Sequence, residues 1–328
     1  MSISAIVPVW NGRELVAKLL DTLRAQTLAA GEWIVVDNGS TDGAPELAAE
    51  RGARVIRMGR NAGFAAAVNR GIEEARGDWI AVLNSDVELA PDYLERLREA
   101  DGWFATGKIL SAEDGSRIDG TFDVLCRGGT GWRVGSGRRD GALYSEARTV
   151  WSVPWTAALF RAELFQRVGL LETSFESYLE DADFGLRCAA AGLAGRYVPE
   201  AVAWHRGSAT LGRWHKETVR RIARNQVLLV ARHYPRRLIW RWLWPIATAQ
   251  LLWAGLALRH GAGWAWARGK WQGLRGFRAA RRASRQLDAK VLQGLMGDYE
   301  RTLRDTQAAT GYDAYWRLYL LLAGRGAK

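Results

Sequence analysis

The chain is poor in cysteine. Only Cys126 and Cys188 occur in 328 residues, and they lie far apart with no metal-ligand spacing around either. This pattern indicates neither a disulfide framework nor a zinc site, and it fits a reducing cytoplasm best. The first residues, MSISAIVPVW, lack a charged start and a long apolar stretch. We therefore expect no signal peptide and no translocation.

Acidic residues are scarce beyond residue 200. Residues 201–328 contain 6 Asp and Glu against 24 Lys and Arg, whereas residues 1–200 contain 29 against 22, so a formal charge of −7 precedes one of +18. Such a basic segment is expected to face nucleic acid or an anionic membrane. Nine of the 17 tryptophans lie from Trp204 to Trp271 and alternate with arginines, as at a membrane interface. We expect an anionic membrane surface as a partner and no nucleic acid.

The segment at 242–258, WLWPIATAQLLWAGLAL, is uncharged but short. Its 17 residues are at the lower end of what a membrane-spanning helix needs, and Pro245 and Gln250 weaken that interpretation. Arginines flank the segment on both sides. It could span the membrane, enter it as a hairpin or lie in the interface, and packing only on protein is the least favoured alternative. We expect membrane attachment at about 236–285, on the cytoplasmic side of the cell membrane.

Four short apolar runs indicate strands of a parallel sheet. They are 3–9 (ISAIVPV), 33–37 (WIVVD), 54–58 (RVIRM) and 79–83 (WIAVL). The segments between them, starting at Glu14, Pro45 and Ala65, have helical apolar spacing. This alternation predicts an α/β fold with a doubly wound open sheet. Ligands of such sheets bind beyond the carboxyl ends of the strands.

The remaining chain predicts a second half of this domain and a helical region. Residues 101–149 are rich in glycine and predict loops and short strands; SYLEDADFGLRCAAAG from Ser177 then predicts a helix, and GRYVPEAVAWH from Gly195 a strand. A first domain at 1–215 follows, with one half at about 1–100 and another at about 101–215. Residues 216–328 predict a basic helical region whose first helix ends before Pro235.

Three short stretches with polar residues lie at the ends of predicted strands or just after them. They are Val9-Trp10-Asn11, Asp37-Asn38-Gly39-Ser40 and Asn84-Ser85-Asp86. Asp37 could accept the N3–H of a uracil or thymine ring, although a simple turn that caps the next helix explains it equally well. Asp86 follows an apolar strand at the predicted ligand edge, where one carboxylate could bind a divalent cation that bridges two phosphates. The alternative, a cap for the helix near Pro91, lies too far along the chain.

The densest acidic cluster is Glu180-Asp181-Ala182-Asp183, within the predicted helix. Glu180 and Asp183 share a helix face, while Asp181 points elsewhere. Crowding of like charges and partial burial would raise a carboxylate pKa, as a general base acting on a sugar hydroxyl requires. A solvated helix face is the alternative.

His205 ends a predicted strand, and the loop after it, Arg206-Gly207-Ser208-Ala209-Thr210, is small and basic. The loop could reach a diphosphate, and a neutral imidazole could bind a metal near Asp86. A purely structural histidine is the alternative.

Over roughly 3–234, the order of these motifs resembles family 2 glycosyltransferases, particularly the rhamnosyltransferase-like branch. The matching segments are IVPVWNG, VVDNGSTDG, RNAGFAAAVNRG, LNSDV, YLEDADFGLR and VPEAVAWHRGSAT. Each motif is weak alone, but six in this order are specific. The resemblance implies a GT-A fold, here a mixed doubly wound sheet followed by a basic, Trp-rich, membrane-associated segment. Residues 1–215 would then form the catalytic domain, with a nucleotide-binding half at about 1–100 and an acceptor half at about 101–215.

The resemblance also implies a role for each site residue. Asp86 would bind Mg²⁺ or Mn²⁺, with His205 on the metal or the diphosphate, and Asp181, next to Glu180, would be the catalytic base. The remaining residues would contact the nucleotide-sugar: Pro8, Val9, Trp10, Asn11, Asp37, Asn38, Asn61, Gly63, Asn69, Asn84 and Ser85. Two departures concern ribose and acceptor recognition, because Asn84 replaces the first Asp of the family's DxD element and GLLETSF at 169–175 replaces a Gly-Gly-Phe-Asp-Glu run.

The implied reaction is a metal-dependent transfer with inversion. A hydroxyl of a glycan or polyprenyl-linked acceptor would attack the sugar of a dTDP- or UDP-linked rhamnose or hexose, in cell-surface polysaccharide biosynthesis. Two alternatives stay open: a nucleotidyltransferase of related fold, which would release pyrophosphate, and a scaffold that binds nucleotide or membrane without turnover.

Overall fold

The computed structural model describes residues 2–207 and 214–323. The chain divides into two compact units. The first comprises Met1–Phe122 and Gly135–Ala209, and the second Asp123–Val134 and Thr210–Lys328. The sequence prediction placed residues 123–134 in the catalytic domain, whereas the structure groups them with the helical unit.

The strands are β1 (Ile3–Val9), β2 (Glu32–Asp37), β3 (Arg54–Arg57), β4 (Trp79–Leu83), β5 (Val87–Leu89), β6 (Phe104–Ser111), β7 (Ile118–Gly120), β8 (Asp123–Leu125), β9 (Gly131–Arg133), β10 (Arg148–Val150), β11 (Ala157–Arg161) and β12 (Gly195–His205). The helices are α1 (Arg13–Arg24), α2 (Ala44–Glu50), α3 (Phe64–Glu74), α4 (Tyr93–Glu99), α5 (Ala162–Val168), α6 (Glu180–Ala190), α7 (Lys216–His233), α8 (Arg236–Arg241), α9 (Leu243–Arg259), α10 (Gly263–Arg282), α11 (Ala289–Thr310) and α12 (Ala314–Ala323).

The first unit is built on one mixed sheet with the strand order β10-β12-β6-β11-β4-β1-β2-β3, to which β5 and β7 add at β12 and β6. Strands β3, β2, β1 and β4 are parallel to one another, and β11 runs antiparallel to both β4 and β6. The predicted α/β class is therefore confirmed. Because β1, β2 and β4 are parallel neighbours, their carboxyl ends meet at one edge of the sheet.

Helices cover both faces of this sheet. Alternate residues of β1, such as Val7, pack in the main core with α1, whereas Ile6 faces α3. α3 lies so close that a Cβ at Gly71 would collide with Ile6. Burial on both faces explains why β1 is a continuous apolar run.

Within residues 123–134 and 214–323, the described part of the second unit, the structure has six helices, α7 to α12, and the hairpin β8–β9. The interior of this unit contains a buried ion pair between Arg127, just after β8, and Glu300 in α11 (Nε to Oε2, 2.9 Å). The hydroxyl of Tyr319 donates to Glu300, and the Arg127 guanidinium donates to the carbonyl of Ala323. These bonds tie the hairpin to the last two helices.

Between residues 2 and 207 and between 214 and 323, no helix combines the length and the apolar character that crossing a bilayer requires. This holds for α9, which covers most of the uncharged segment. Pro245 lies in the first turn of α9, where its missing N–H costs no helical hydrogen bond.

Candidate active site

The loops that follow β1 and β2 hold each other in place at the carboxyl edge of the sheet. Asn11 adopts a left-handed conformation (φ +62°). Its amide N–H donates to Oγ of Ser40, and its side-chain oxygen accepts from the amide of Thr41. Pro8 is partly exposed, Val9 is buried and Trp10 is 40% exposed. Residues 8–11, which were predicted to contact the nucleotide, therefore lie at the end of β1 and at the start of a loop that these hydrogen bonds hold in place.

Asp37 and Asn38 are both buried at the end of β2. One carboxylate oxygen of Asp37 accepts from the amide of Ser40 at 2.8 Å, as the turn interpretation requires, and the other lies 3.9 Å from an Arg57 nitrogen. The Asn38 side chain accepts from the amide of Ala62 and donates to the carbonyl of Gly63. Asn38 therefore holds the loop after β3 against β2.

The loop before α3 makes a second close contact. Gly63 (φ +90°) lies against the backbone of Glu176, and a Cβ there would approach the Glu176 oxygen to 2.8 Å. Asn61 accepts from the amide of Gly63 and from the side chain of Asn38. Asn61 and Gly63 therefore hold the loop before α3 in contact with the end of β2 on one side and with the segment that precedes α6 on the other.

Asn69 has a different role from the predicted contact with the donor. Its side chain donates to the carbonyl of Leu171 at 2.8 Å and accepts from the amide of the same residue at 2.9 Å. The side chain is buried, and both ends of its amide group are engaged. Asn69 thus anchors the segment that leads to the acidic cluster.

Asn84-Ser85-Asp86 form a turn between β4 and β5. The amide of Asn84 donates to the carbonyl of Thr156, and the carbonyl of Asp86 accepts from the amide of Arg206 at 3.1 Å. The side-chain oxygen of Asn84 is buried and accepts no hydrogen bond from residues 2–207 or 214–323. A buried acceptor at the predicted ligand edge is a position that a donor hydroxyl could satisfy.

His205 lies between two carboxylates. Its Nε2 is 3.2 Å from Oδ1 of Asp86, and its Nδ1 is 2.9 Å from Oδ2 of Asp119 in β7. Burial lowers the pKa of the His205 ring, but the hydrogen bonds and charges of Asp119 and Asp86 outweigh burial and raise that pKa to about 9. The structure therefore brings the two predicted metal residues together.

Asp119 was not predicted as a site residue from the sequence. It lies in a glycine-rich stretch with no helical or strand periodicity, and it meets His205 because β7 and β12 both pair with β6. Only this non-local strand pairing reveals the contact.

The donor set fits a hard divalent cation. An Asp86 oxygen lies 3.2 Å from His205 Nε2, and Asp119 engages Nδ1. The raised pKa describes the ring without a metal, which carries a proton on both nitrogens at neutral pH. A divalent cation at Nε2 would displace the Nε2 proton, while Asp119 keeps the proton on Nδ1. Nowhere in 2–207 or 214–323 do three or more His, Cys, Asp or Glu side chains form an enclosed metal site. Two protein ligands suffice where phosphate oxygens and water complete the coordination of Mg²⁺ or Mn²⁺.

The acidic cluster occupies the first turn of α6, so the predicted helix begins later than expected. Glu176, Tyr178 and Leu179 have φ values of +61°, +74° and +70°, which exclude a right-handed helix before Glu180. Three non-glycine residues with positive φ within four positions are a concentration of backbone strain that is typical of functional sites.

The three carboxylates of the cluster have different surroundings. Asp183 is fully buried and paired with Arg187 (Oδ2 to Nη2, 2.9 Å), whose guanidinium also donates to the carbonyl of Leu170. Asp183 therefore has a structural role. Glu180 is buried and Asp181 is partly exposed, with an Asp181 oxygen accepting from the amide of Ala182. The solvated-face alternative does not describe this cluster.

An open cavity of ≈ 620 Å³ lies beside the end of β12. Three cationic side chains, Arg13, Lys18 and Arg206, line it together with Asp42 and Glu113. The rest of the predicted diphosphate loop, Ser208 to Thr210, lies outside the described residues.

The sequence model described as "Glycosyl transferase family 2" matches residues 4–168. The N-acetylglucosaminyl-diphospho-decaprenol L-rhamnosyltransferase of Mycobacterium tuberculosis is 30% identical over 224 residues, which cover 60% of this chain and 73% of that protein. The undecaprenyl-phosphate 4-deoxy-4-formamido-L-arabinose transferase of Pseudomonas aeruginosa is 35% identical over 125 residues, 35% of this chain and 37% of that protein.

Solved structures share the fold at low identity. GalNAc-T7 with UDP, GalNAc and Mn²⁺ has a TM-score of 0.64 at 13% identity, covering 95% of this chain and 58% of that one. The mannosyltransferase PcManGT from Pyrobaculum calidifontis with GDP-Man and Mn²⁺ has a TM-score of 0.50 at 18% identity, covering 99% and 86%. The first unit therefore has the GT-A fold that the resemblance implied.

Proposed function

This chain belongs to glycosyl transferase family 2, and on that premise we propose that it transfers a sugar, with inversion, from a nucleoside-diphosphate donor to a hydroxyl of a glycan or lipid-linked acceptor. The observation that supports this most is the line Asp86–His205–Asp119 at the edge of the sheet where β1 and β2 also end. A nucleotide diphosphate is the ligand chemistry that such an edge favours.

The nucleotide is proposed to bind along the ends of β1 and β2. Asp37 offers a carboxylate oxygen toward the base, and residues 8–11 with Asn38, Asn61 and Gly63 shape the adjoining loops. Asn84 and Ser85 would contact the ribose. dTDP-rhamnose is the first donor to test and UDP-hexoses the second, a choice supported by the rhamnosyltransferase relative.

Asp86 and His205 are proposed to hold Mg²⁺ or Mn²⁺. When bound there, such an ion would supply positive charge that stabilises a departing nucleoside diphosphate. Asp119 acts through His205: by accepting the Nδ1–H hydrogen bond it fixes the ring orientation and keeps Nε2 directed toward Asp86 and the proposed ion. Asp119 is therefore a positioning residue.

Asp181 is proposed as the general base. Its carboxylate accepts the proton of the acceptor hydroxyl while the hydroxyl oxygen forms the bond to the anomeric carbon and the bond to the diphosphate breaks. A carboxylate in the first turn of α6, held by a strained segment, has little freedom to reorient. Glu180, buried beside it, contributes to the shape of this turn.

The acceptor is proposed to be glycan- or polyprenyl-linked, in cell-surface polysaccharide biosynthesis. The two relatives named above act on lipid-linked sugars or lipid phosphates by their names. We propose that the enzyme meets this acceptor at the cytoplasmic side of the cell membrane.

The experiment is a turnover assay on the full chain. Purified protein with Mn²⁺ or Mg²⁺ is given a panel of dTDP- and UDP-sugars, with and without membrane lipid extract, and released nucleoside diphosphate is measured. Metal-dependent release from one donor, increased by the extract, and NMR showing an inverted anomeric centre are the expected results. Release of pyrophosphate would favour a nucleotidyltransferase, and tight nucleotide binding without release across the panel would favour a scaffold.

A further inference from the structure

α9 exposes an apolar stripe. Trp244, Leu251, Gly255 and Leu258 are exposed, and their spacings of seven, four and three residues place them on one side of the helix. Leu251 and Leu258 are 68% and 70% exposed. No charged residue interrupts this stripe, so α9 presents to its surroundings the surface that a helix in water normally buries.

α10 exposes tryptophans and arginines in one line. The exposed residues Trp264, Arg268, Trp271, Arg275, Arg278 and Arg282 follow one another at alternating spacings of four and three. Trp264 is 84% exposed, and the Arg275 guanidinium lies 3.8 Å from the centre of the Trp271 ring. A line of Trp and Arg matches a helix that lies in a membrane interface.

The buried side of α10 has the opposite character. Lys270 is directed inward, where its Nζ donates to the side-chain oxygens of Gln226 and Gln250. Burial lowers the pKa of Lys270 to about 7. A helix that faces water normally exposes lysine and buries tryptophan. α10 does the opposite with Lys270, Trp264 and Trp271, so its outer side differs from that of a helix that faces water.

α12 extends the exposed apolar surface. The indole N–H of Trp244 donates to the carbonyl of Leu322 at 3.0 Å, which joins the start of α9 to the end of α12. Leu318, Leu321 and Leu322 are 44%, 58% and 46% exposed. The sequence prediction of attachment at about 236–285 did not include α12.

From residue 218 to residue 287, a range that includes α8, α9 and α10, every formal charge is positive. Residues 218–287 contain no Asp or Glu and 15 Lys or Arg. A surface that combines exposed tryptophan and leucine with unopposed positive charge complements an anionic bilayer, because lipid phosphates attract the arginines while the rings enter the headgroup layer.

We propose that this membrane face, defined by Trp244, Leu251, Leu258, Trp264, Trp271, Leu321 and the four exposed arginines of α10 in the line described above, binds the surface of an anionic lipid bilayer with its helices in the interface. The proposal takes from the proposed function only the expectation of a membrane-bound acceptor. A second copy of this chain is the competing occupant, and it lacks charge complementarity because each copy would present the same basic surface.

The test is binding of the full chain to vesicles without any sugar donor. Co-sedimentation and tryptophan fluorescence are measured with phosphatidylcholine vesicles and with vesicles that contain about one-third phosphatidylglycerol. The double variant Trp264→Ala/Trp271→Ala is compared with Leu143→Ala, an exposed apolar residue of the first unit. Arg275→Gln/Arg278→Gln is compared with Arg301→Gln, an exposed arginine that pairs with Asp298.

The wild-type chain is expected to bind the anionic vesicles, with the emission shifted to shorter wavelength. Each double variant should bind at least about tenfold more weakly, and the two controls should bind as the wild type does. Circular dichroism confirms that the variants are folded. Equal binding to neutral and anionic vesicles, unchanged binding of both double variants, or a wild-type dimer that the tryptophan variant converts to a monomer would overturn the proposal. Because no donor is present, transferase activity does not enter the result.

Discussion

The two units differ in how far their predicted functional residues are exposed to solvent. In the first unit, Asp37, Asp183 and His205 are held inside hydrogen-bonded or ion-paired surroundings at the ends of strands or helices. In the second unit, Trp264 and the arginines of α10 remain outside. The difference teaches that a catalytic site needs fixed side chains, whereas an interfacial surface needs exposed ones. Substitutions should therefore separate chemistry from membrane binding.

The largest expected effect is on catalysis in the first unit. Asp181→Asn removes the proposed base and should lower turnover by about 10²–10⁴-fold, with donor and vesicle binding unchanged. Turnover and donor affinity are measured on the same preparation. Asp183→Asn is the matched comparison, because it should lower the midpoint of thermal unfolding by weakening the pair with Arg187. Equal turnover in the wild type and Asp181→Asn would refute the assignment.

The next largest effect is expected on the free energy of unfolding and concerns a buried ion pair of the second unit. Glu300→Gln leaves the buried Arg127 charge without its carboxylate and should lower the free energy of unfolding by about 3–5 kcal/mol. Denaturant unfolding followed by circular dichroism measures this change. Asp298→Asn, which removes an exposed partner of Arg301, should change it by less than about 1 kcal/mol. Similar losses in both variants would mean that burial of the Arg127–Glu300 pair is unimportant.

A smaller effect is expected from the positioning residue. Asp119→Asn should weaken Mn²⁺ binding by about 10–100-fold, because the His205 ring loses the carboxylate that orients it. Electron paramagnetic resonance of free Mn²⁺ measures the affinity without turnover. Asp114→Asn, an exposed carboxylate of the same loop region, should leave the affinity unchanged. The role of Asp119 is disproved if the two variants bind Mn²⁺ equally well.

The smallest expected effect concerns pH and the lysine inside the second unit. Burial lowers the pKa of Lys270 from 10.5 to about 7, so between these values the unfolded chain holds a proton that the folded chain lacks. Stability from this group therefore rises with pH across that range. The amide oxygens of Gln226 and Gln250 favour the charged amine, so we expect less than about 2 kcal/mol. Lys270→Met should flatten the pH dependence of thermal unfolding; an identical slope would contradict the shift.

The parts that were predictable from sequence are those with local patterns. β1 and β4 have the predicted bounds because each is a continuous apolar run. Asp86 was predicted as a site residue because it follows β4, and His205 because it ends a predicted strand. The structure brings their side chains into contact. Asp119 and the hairpin β8–β9 lie in the glycine-rich region without periodicity. The partner of Asp119, His205, is 86 residues away, and Arg127, two residues after β8, bonds to Glu300 in α11. The late start of α6 comes from left-handed non-glycine residues, which no propensity predicts.

The most direct test of this account is Mn²⁺ binding to the wild-type chain and to Asp86→Asn, with and without dTDP or UDP, measured by electron paramagnetic resonance. The account predicts that the wild-type chain binds Mn²⁺, that a nucleoside diphosphate tightens this binding, and that Asp86→Asn loses both effects while its vesicle binding stays unchanged. Equal Mn²⁺ affinity in the two proteins, or no effect of the nucleotide, would contradict a metal-assisted donor site at Asp86 and His205.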